Sequence, residues 1–183
     1  RAIMNLDHET GISIMKIVTE LDAGPDLLQS KIKITKETNY KERSDQMSEL
    51  GAKLILDTLK LIENRRANFK EQNESEATYA KKIEKTETKI NWNDDAEKII
   101  AKINAFSPNP GSWFDLNGNR IKIIKAKKVM SKGIPGTILD DNLTIACSKN
   151  AIRIIELKKE SKQKMTADEF IRGNKIKTGQ SLH

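Results

Sequence analysis

The stretch Glu20-Leu21-Asp22-Ala23-Gly24-Pro25-Asp26-Leu27-Leu28 sets two carboxylates, Asp22 and Asp26, on either side of a Gly-Pro pair. A carboxylate at a chain reversal has two uses. Asp ahead of Gly-Pro is ordinary turn chemistry, its short side chain bonding nearby backbone. The same carboxylate can orient an imidazole or hold a proton-relay water when a rigid scaffold carries the loop. Asp22 is therefore either the polar corner of a hairpin or one member of a catalytic set. Other reactive side chains are few. His8, in a polar turn, and His183, the last residue, have no neighbour that poises them, and both are expected to be exposed and inert. Cys147 lies in an apolar run and reads as a core filler. Ser112 lacks the flanking glycines and histidine of a nucleophile elbow. Gly-rich phosphate loops, HExxH and CxxC are absent.

A second chemistry is carried by lysine. Along RIKIIKAKK, Arg120 and Lys122, continued by Lys125, Lys127 and Lys128, read as one basic strand face. Such a face attracts phosphates in a salt-dependent way and carries no sequence information. A barrel for single strands would add stacking aromatics. Aromatics are only 4% of this chain, and Trp92, Trp113 and Phe114 sit at helix and strand starts, as core anchors do. Charge without stacking favours a folded or duplex RNA backbone. The net charge of +7 is uneven: residues 1–75 carry −1 and residues 76–183 carry +8. On charge alone, nucleic-acid binding and simple lysine solvation both stay open.

Positioning these groups requires a scaffold, and the 183 residues suffice for one substantial core or two small ones. Glu9-Thr10-Gly11 reads as a turn, followed by ISIMKIV as a strand buried on both faces and LLQSKIKI as a less buried one. The two predict an antiparallel hairpin with a long connection, Thr19 to Asp26. Residues 39–64 predict an amphipathic helix with Met47, Leu50, Leu54, Ile55, Leu59, Leu61 and Ile62 in its stripe, and Gly51 as a point of close packing. Residues 63–78 are nearly free of apolar side chains and read as a linker. A second helix is expected over 95–106, capped by Asn93 or Asp94 and stopped by SPNPGS. Five short strands follow (SWFDL, RIKIIKAKKV, GTIL, LTIAC, AIRIIEL), then a short helix around Thr166 to Ile171. Their turns and spacing predict a small closed or nearly closed barrel of the OB type. The expected division is 1–64, a linker at 65–78, and 79–183. One cysteine and no leader or long apolar run predict a cytosolic protein without a membrane span. The start at Arg1, without Met, reads as processing or as excision from a longer chain.

RAIMNLDHETGISIMKIVTELDAGPDLL resembles the later part of folate-dependent formyltransferase domains, with Gly11-Ile12-Ser13 in place of a Gly-x-Thr strand and a Leu-Asp-x-Gly loop after it. In the same order, ATYAKKIEKTETKINW, AFSPNPGSWF, PGTIL and KMTADEFIRG resemble the C-terminal domain of the methionyl-tRNA formyltransferase family. The resemblance implies the tail of a Rossmann-type α/β domain followed by a small, mostly β, OB-like domain. It also implies formyl transfer from 10-formyltetrahydrofolate to the amino group of methionyl initiator tRNA, by a bacterial-type, monomeric protein with no metal. The family's catalytic set is an Asn, a His and the loop aspartate. Asp22 matches the aspartate; the Asn and His are expected upstream of Arg1, so this chain alone is expected to be inactive. Leu21, Asp22, Ala23 and Gly24 match the backbone that seats the pterin edge. For tRNA, the resemblance and the charge together point to Lys81, Lys82, Arg120, Lys122, Lys125, Lys127 and Lys128. The linker departs from a strongly basic pattern, since Glu71, Glu74 and Glu76 oppose Arg65, Arg66 and Lys70. Two alternatives accompany this reading: a non-catalytic RNA-binding module, and a related formyltransferase acting on an amino sugar nucleotide.

Overall fold

A computed structural model describes residues 1–174 and 176–182. The first part is a two-stranded hairpin under one helix. β1 (Glu9–Met15) pairs antiparallel with β2 (Asp26–Lys33). The turn expected at Glu9-Thr10-Gly11 is instead the start of the ladder, with Glu9 opposite Lys33 and Gly11 opposite Lys31. β1 is not buried on both faces. Its residues alternate between exposed and half-buried, and Ile17, expected inside the strand, is 91% exposed in the loop beyond it. Among the described residues only one helix, α1 (Tyr40–Glu63), packs on this sheet, so only one face has a covering layer.

α1 begins where local chemistry puts it. Asn39 accepts from the Glu42 backbone N–H at 3.0 Å while the Glu42 carboxylate reaches back to the Asn39 N–H, a reciprocal cap. The buried Arg43 then ties the first turn to the end of β2 by donating to the Lys33 carbonyl. The expected broad stripe is split. Met47, Leu50, Leu54 and Leu61 are half-buried on the hairpin side, while Ile55, Leu59 and Ile62 stay exposed. Gly51 is no point of forced contact, since a Cβ there would meet only the Ile12 Cδ1 at an ordinary 3.6 Å.

Residues 64–95 are irregular apart from two short 3-10 turns, and most are exposed. The second part holds the hydrophobic core. α2 (Ala96–Phe106) lays Ile99, Ile103 and Phe106 inward, as its periodicity requires. Its cap is Asp95, not Asn93 or Asp94: the Asp94 carbonyl is engaged by the Ser148 N–H, and the Ser148 hydroxyl donates to the Asp95 carboxylate at 2.9 Å. Five strands form one curled sheet: β3 (Ser112–Leu116), β4 (Asn119–Val129), β5 (Thr144–Ala146), β6 (Ala151–Lys159) and β7 (Lys164–Thr166). The order is β3-β4-β6-β5, with β7 pairing the far end of β6.

No pairing joins β3 to β5 among the described residues, so the closed or nearly closed barrel expected is a curled sheet open between them, a half-barrel. GTIL is not a strand but two single bridges, Thr137 with Ser181 and Ile138 with Ile145. β7, too short to show in the residue pattern, leads into α3 (Ala167–Arg172), which Thr166 and Glu169 cap reciprocally. On the concave side Ile121, Ile123, Ile152, Ile154 and Leu157 pack with α2, Trp92, Phe114 and Phe170. Burying each such aliphatic side chain is worth roughly 1.5–3 kcal/mol. The two parts touch where the Asn104 side chain donates to the Lys36 carbonyl at 2.9 Å. Among the described residues no helix is long and apolar enough to cross a membrane.

Candidate functional site

The hairpin loop Lys16–Pro25 is closed at its neck by the Lys16 N–H donating to the Pro25 carbonyl at 3.0 Å. Inside it, Gly24 is buried, and a Cβ on it would lie 1.7 Å from the Lys16 carbonyl oxygen. Only glycine lets the two stretches of backbone approach this closely. Two residues earlier, Asp22 has φ +58°, a left-handed conformation that Asp accepts more readily than most side chains. The Asp22 carboxylate is exposed and has no hydrogen-bond partner among the described residues, so it is presented rather than consumed by its turn. Leu21, 91% exposed, Val18 and Ile17 make an apolar rim on the same loop, and Ala23 is exposed with them. The backbone carbonyls of Asp22 and Gly24 both accept from the side-chain amide of Gln72, at 2.9 and 2.6 Å. Sequence reasoning missed Gln72, which lies fifty residues from Asp22 in a polar stretch.

Among the described residues the remaining reactive side chains lie away from this loop. His8 is exposed, with its backbone carbonyl engaged by the Ile34 N–H. His183 lies outside the described residues. Cys147 is buried, and that burial pushes its thiol up to about 12, which makes it a core side chain and not a nucleophile. No cluster of potential metal ligands exists among the described residues.

The lysines form a more definite pattern than the strand alone suggested. Residues directly opposite in a ladder point to the same face. Trp113 faces Lys122, Lys122 faces Lys158, and Lys158 faces Lys164, giving one row across β3, β4, β6 and β7 on the convex face. Arg120 stands beside this row on β4, two residues from Lys122. Two register shifts between Ile123 and Ala126 let Lys125 and Lys127 stay on the outside. They also turn Lys128 to the other face: it is paired with the inward Ile152 and holds Glu97 of α2 at 2.7 Å. Lys122, Lys125, Lys127 and Lys158 have no ion-pair partner among the described residues. Lys81 and Lys82 lie on the irregular segment, their carbonyls taken by the Arg1 guanidinium. Lys158 and Lys164 were missed, although alternation through IELKK placed Lys158 outward.

Trp113 is an anchor and not an open stacking platform. Its indole N–H donates to the Thr88 hydroxyl at 3.0 Å, and the Arg120 guanidinium covers the ring at 4.0 Å from its centre. Lys122 and Lys158, abreast on β4 and β6, repel one another by some tenths of a kcal/mol, while Lys164 at the end of the row is paired with Glu156 at 3.0 Å. The arrangement suits an external polyanion with regularly spaced phosphates.

The half-barrel carries a cationic convex face, and the hairpin loop displays the carboxylates of Glu20 and Asp22. The chain belongs to the formyl transferase family: the family described as "Formyl transferase, C-terminal domain" matches residues 82–175. Over its whole length it is 41% identical to the methionyl-tRNA formyltransferase of Pelagibacter ubique, and over 98% of its length 39% identical to that of Bradyrhizobium diazoefficiens. The chain spans 59% of the length of each of these relatives. Among solved structures, HypX from Aquifex aeolicus in complex with tetrahydrofolic acid superposes with a TM-score of 0.70, at 20% identity, over 98% of this chain and 35% of that one. That last likeness concerns the fold.

Proposed function

We propose that the protein to which this chain belongs transfers the formyl group of 10-formyltetrahydrofolate to the amino group of methionyl initiator tRNA. Residues 79–183 dock the tRNA and residues 1–64 complete the catalytic domain, with 65–78 between them. The observation that carries the reading is the row of lysines on the convex face, joined to a loop that presents Asp22.

The chemistry assigns the parts. The neutral amine attacks the formyl carbon; negative charge builds on the formyl oxygen and positive charge on the attacking nitrogen. The carbon–nitrogen bond to the folate then breaks, and the amine proton must reach the folate nitrogen that leaves. An amide donor stabilises the oxygen and an imidazole moves the proton; the family resemblance supplies both from its Asn and His. Asp22 orients that imidazole and holds the water through which the proton passes. The apolar rim of Ile17 and Leu21 offers the flat pterin a contact beside the backbone of residues 21–24. The cations at Arg120, Lys122, Lys125, Lys127 and Lys158 meet phosphates, each a point of positioning without base readout.

The test is binding of charged initiator tRNA across a salt series. Lys122→Glu and Lys158→Glu each lower affinity and reduce the slope of log K against log salt by about one or more. Lys41→Ala, on the far helix and paired with Asp45, changes neither. Equal slopes for all three variants would remove the convex face from the tRNA interface. They would then favour a formyltransferase acting on a small amino sugar nucleotide.

A further inference from the structure

We propose that Gln72 is a positioning residue for the reaction, fastening the Asp22 loop from the segment that leads to the half-barrel. The inference rests on the formyl-transfer reading of Asp22. The loop neck is fixed by the Lys16–Pro25 bond and by the close approach at Gly24, but neither reaches the tip. At the tip, Asp22 holds a left-handed φ of +58°. There its carbonyl and that of Gly24 converge on one group, the Gln72 Nε2, at 2.9 and 2.6 Å. A primary amide nitrogen carries two hydrogens, one for each carbonyl, and the opposite flip would set its oxygen against two others.

Gln72 is itself held in register. Lys70 and Asp26 exchange both backbone bonds at 2.8 Å, so the strap runs beside the start of β2. Two residues further on, Gln72 reaches the loop. Gln72 is exposed, so its side chain contributes little to the core and its replacement leaves the fold intact. Its consequence is local: without it, two backbone carbonyls return to water and the tip samples other turns. The Asp22 carboxylate then spends less time where it can orient an imidazole.

The experiment uses the full-length protein and the variants Gln72→Leu, Gln72→Lys and Asp22→Asn. Gln72→Leu keeps the bulk and removes the donor. It is expected to lower kcat about thirty-fold, as for two neutral hydrogen bonds, with KM for tRNA unchanged. It should also speed hydrogen exchange in the peptide spanning residues 16–25 and in no core strand. Gln72→Lys restores N–H donors at similar reach and recovers most of both losses. Unchanged exchange in residues 16–25 of Gln72→Leu would overturn the proposal, as would faster exchange with a normal kcat. Asp22→Asn separates the two levels. If it is inactive while Gln72→Leu is normal, the fastening alone fails. If Asp22→Asn turns over normally, the role of Asp22 fails and the positioning role of Gln72 falls with it.

Discussion

Replacing Gly24 with alanine is the sharpest perturbation the loop allows. The added Cβ would lie 1.7 Å from the Lys16 carbonyl oxygen and 2.9 Å from its carbon, both backbone atoms that cannot swing aside. Ordinary contact begins at 3.4 Å, so one backbone stretch must move by more than about 1 Å. That shift breaks the Lys16–Pro25 bond and draws the Gly24 carbonyl off Gln72. Two neutral bonds at about 1 kcal/mol each give a local loss of about 2 kcal/mol. The core strands of the half-barrel are untouched: among the described residues none hydrogen-bonds to this loop. A carboxylate displaced by about 1 Å costs on the order of 100-fold in rate. The assay pairs hydrogen exchange across residues 16–25 with single-turnover formyl transfer by the full-length protein. Gly24→Ala should show faster exchange in that peptide, unchanged exchange in β4 and β6, and a rate lower by about two orders of magnitude. A rate within three-fold of wild type, with normal loop exchange, would refute the reasoning from close approach.

Gly51→Ala makes the opposite case: its Cβ meets only Ile12 at 3.6 Å inside a helix, so thermal unfolding should report a gain of about 0.5–1 kcal/mol. Asp140 gives a pH test. Burial pushes its carboxyl up, but the Thr144 hydroxyl, the N–H groups of Asn142 and Thr144, and Arg153 together hold it below its ordinary 3.8. A carboxyl held low stabilises the fold above the ordinary value and loses that contribution as pH falls through its depressed value. Denaturant titrations between pH 6 and 3 should therefore show an acid-side decline that Asp140→Asn flattens, at a cost of about 1 kcal/mol near neutrality.

The parts of the fold legible in the residues were those fixed by local periodicity and punctuation. α2 announces itself through Ile99, Ile103 and Phe106 and stops at the proline pairs; SWFDL is found as a strand at those five residues. Failures arose where tertiary partners decide. The apolar run ISIMKIV predicts burial on both faces, yet in this chain one helix covers one face, and Ile17 is left to the loop. Five strand-like segments predict a closed or nearly closed barrel, yet among the described residues β3 and β5 do not pair, and Ile138 of GTIL makes a single bridge.

Asp22 was visible because its turn motif is local, and the family resemblance set its role beside the turn reading. Gln72 was invisible, since a glutamine in a polar stretch carries no signal of two carbonyls fifty residues away. The basic face was half legible. Alternation found Arg120 and Lys122, but the register shifts after Ile123 break the period of two, and they send Lys128 to Glu97 instead of outward. Lys158 and Lys164 join the row only through strand pairing, which no single strand reveals.

The most direct measurement is single-turnover formylation of methionyl initiator tRNA by the full-length protein with 10-formyltetrahydrofolate, wild type against Asp22→Asn. The expected rate of Asp22→Asn is lower by about 1,000-fold or more, with tRNA affinity and folding intact. Turnover within a few-fold of wild type would contradict it and return Asp22 to the role of a hairpin corner.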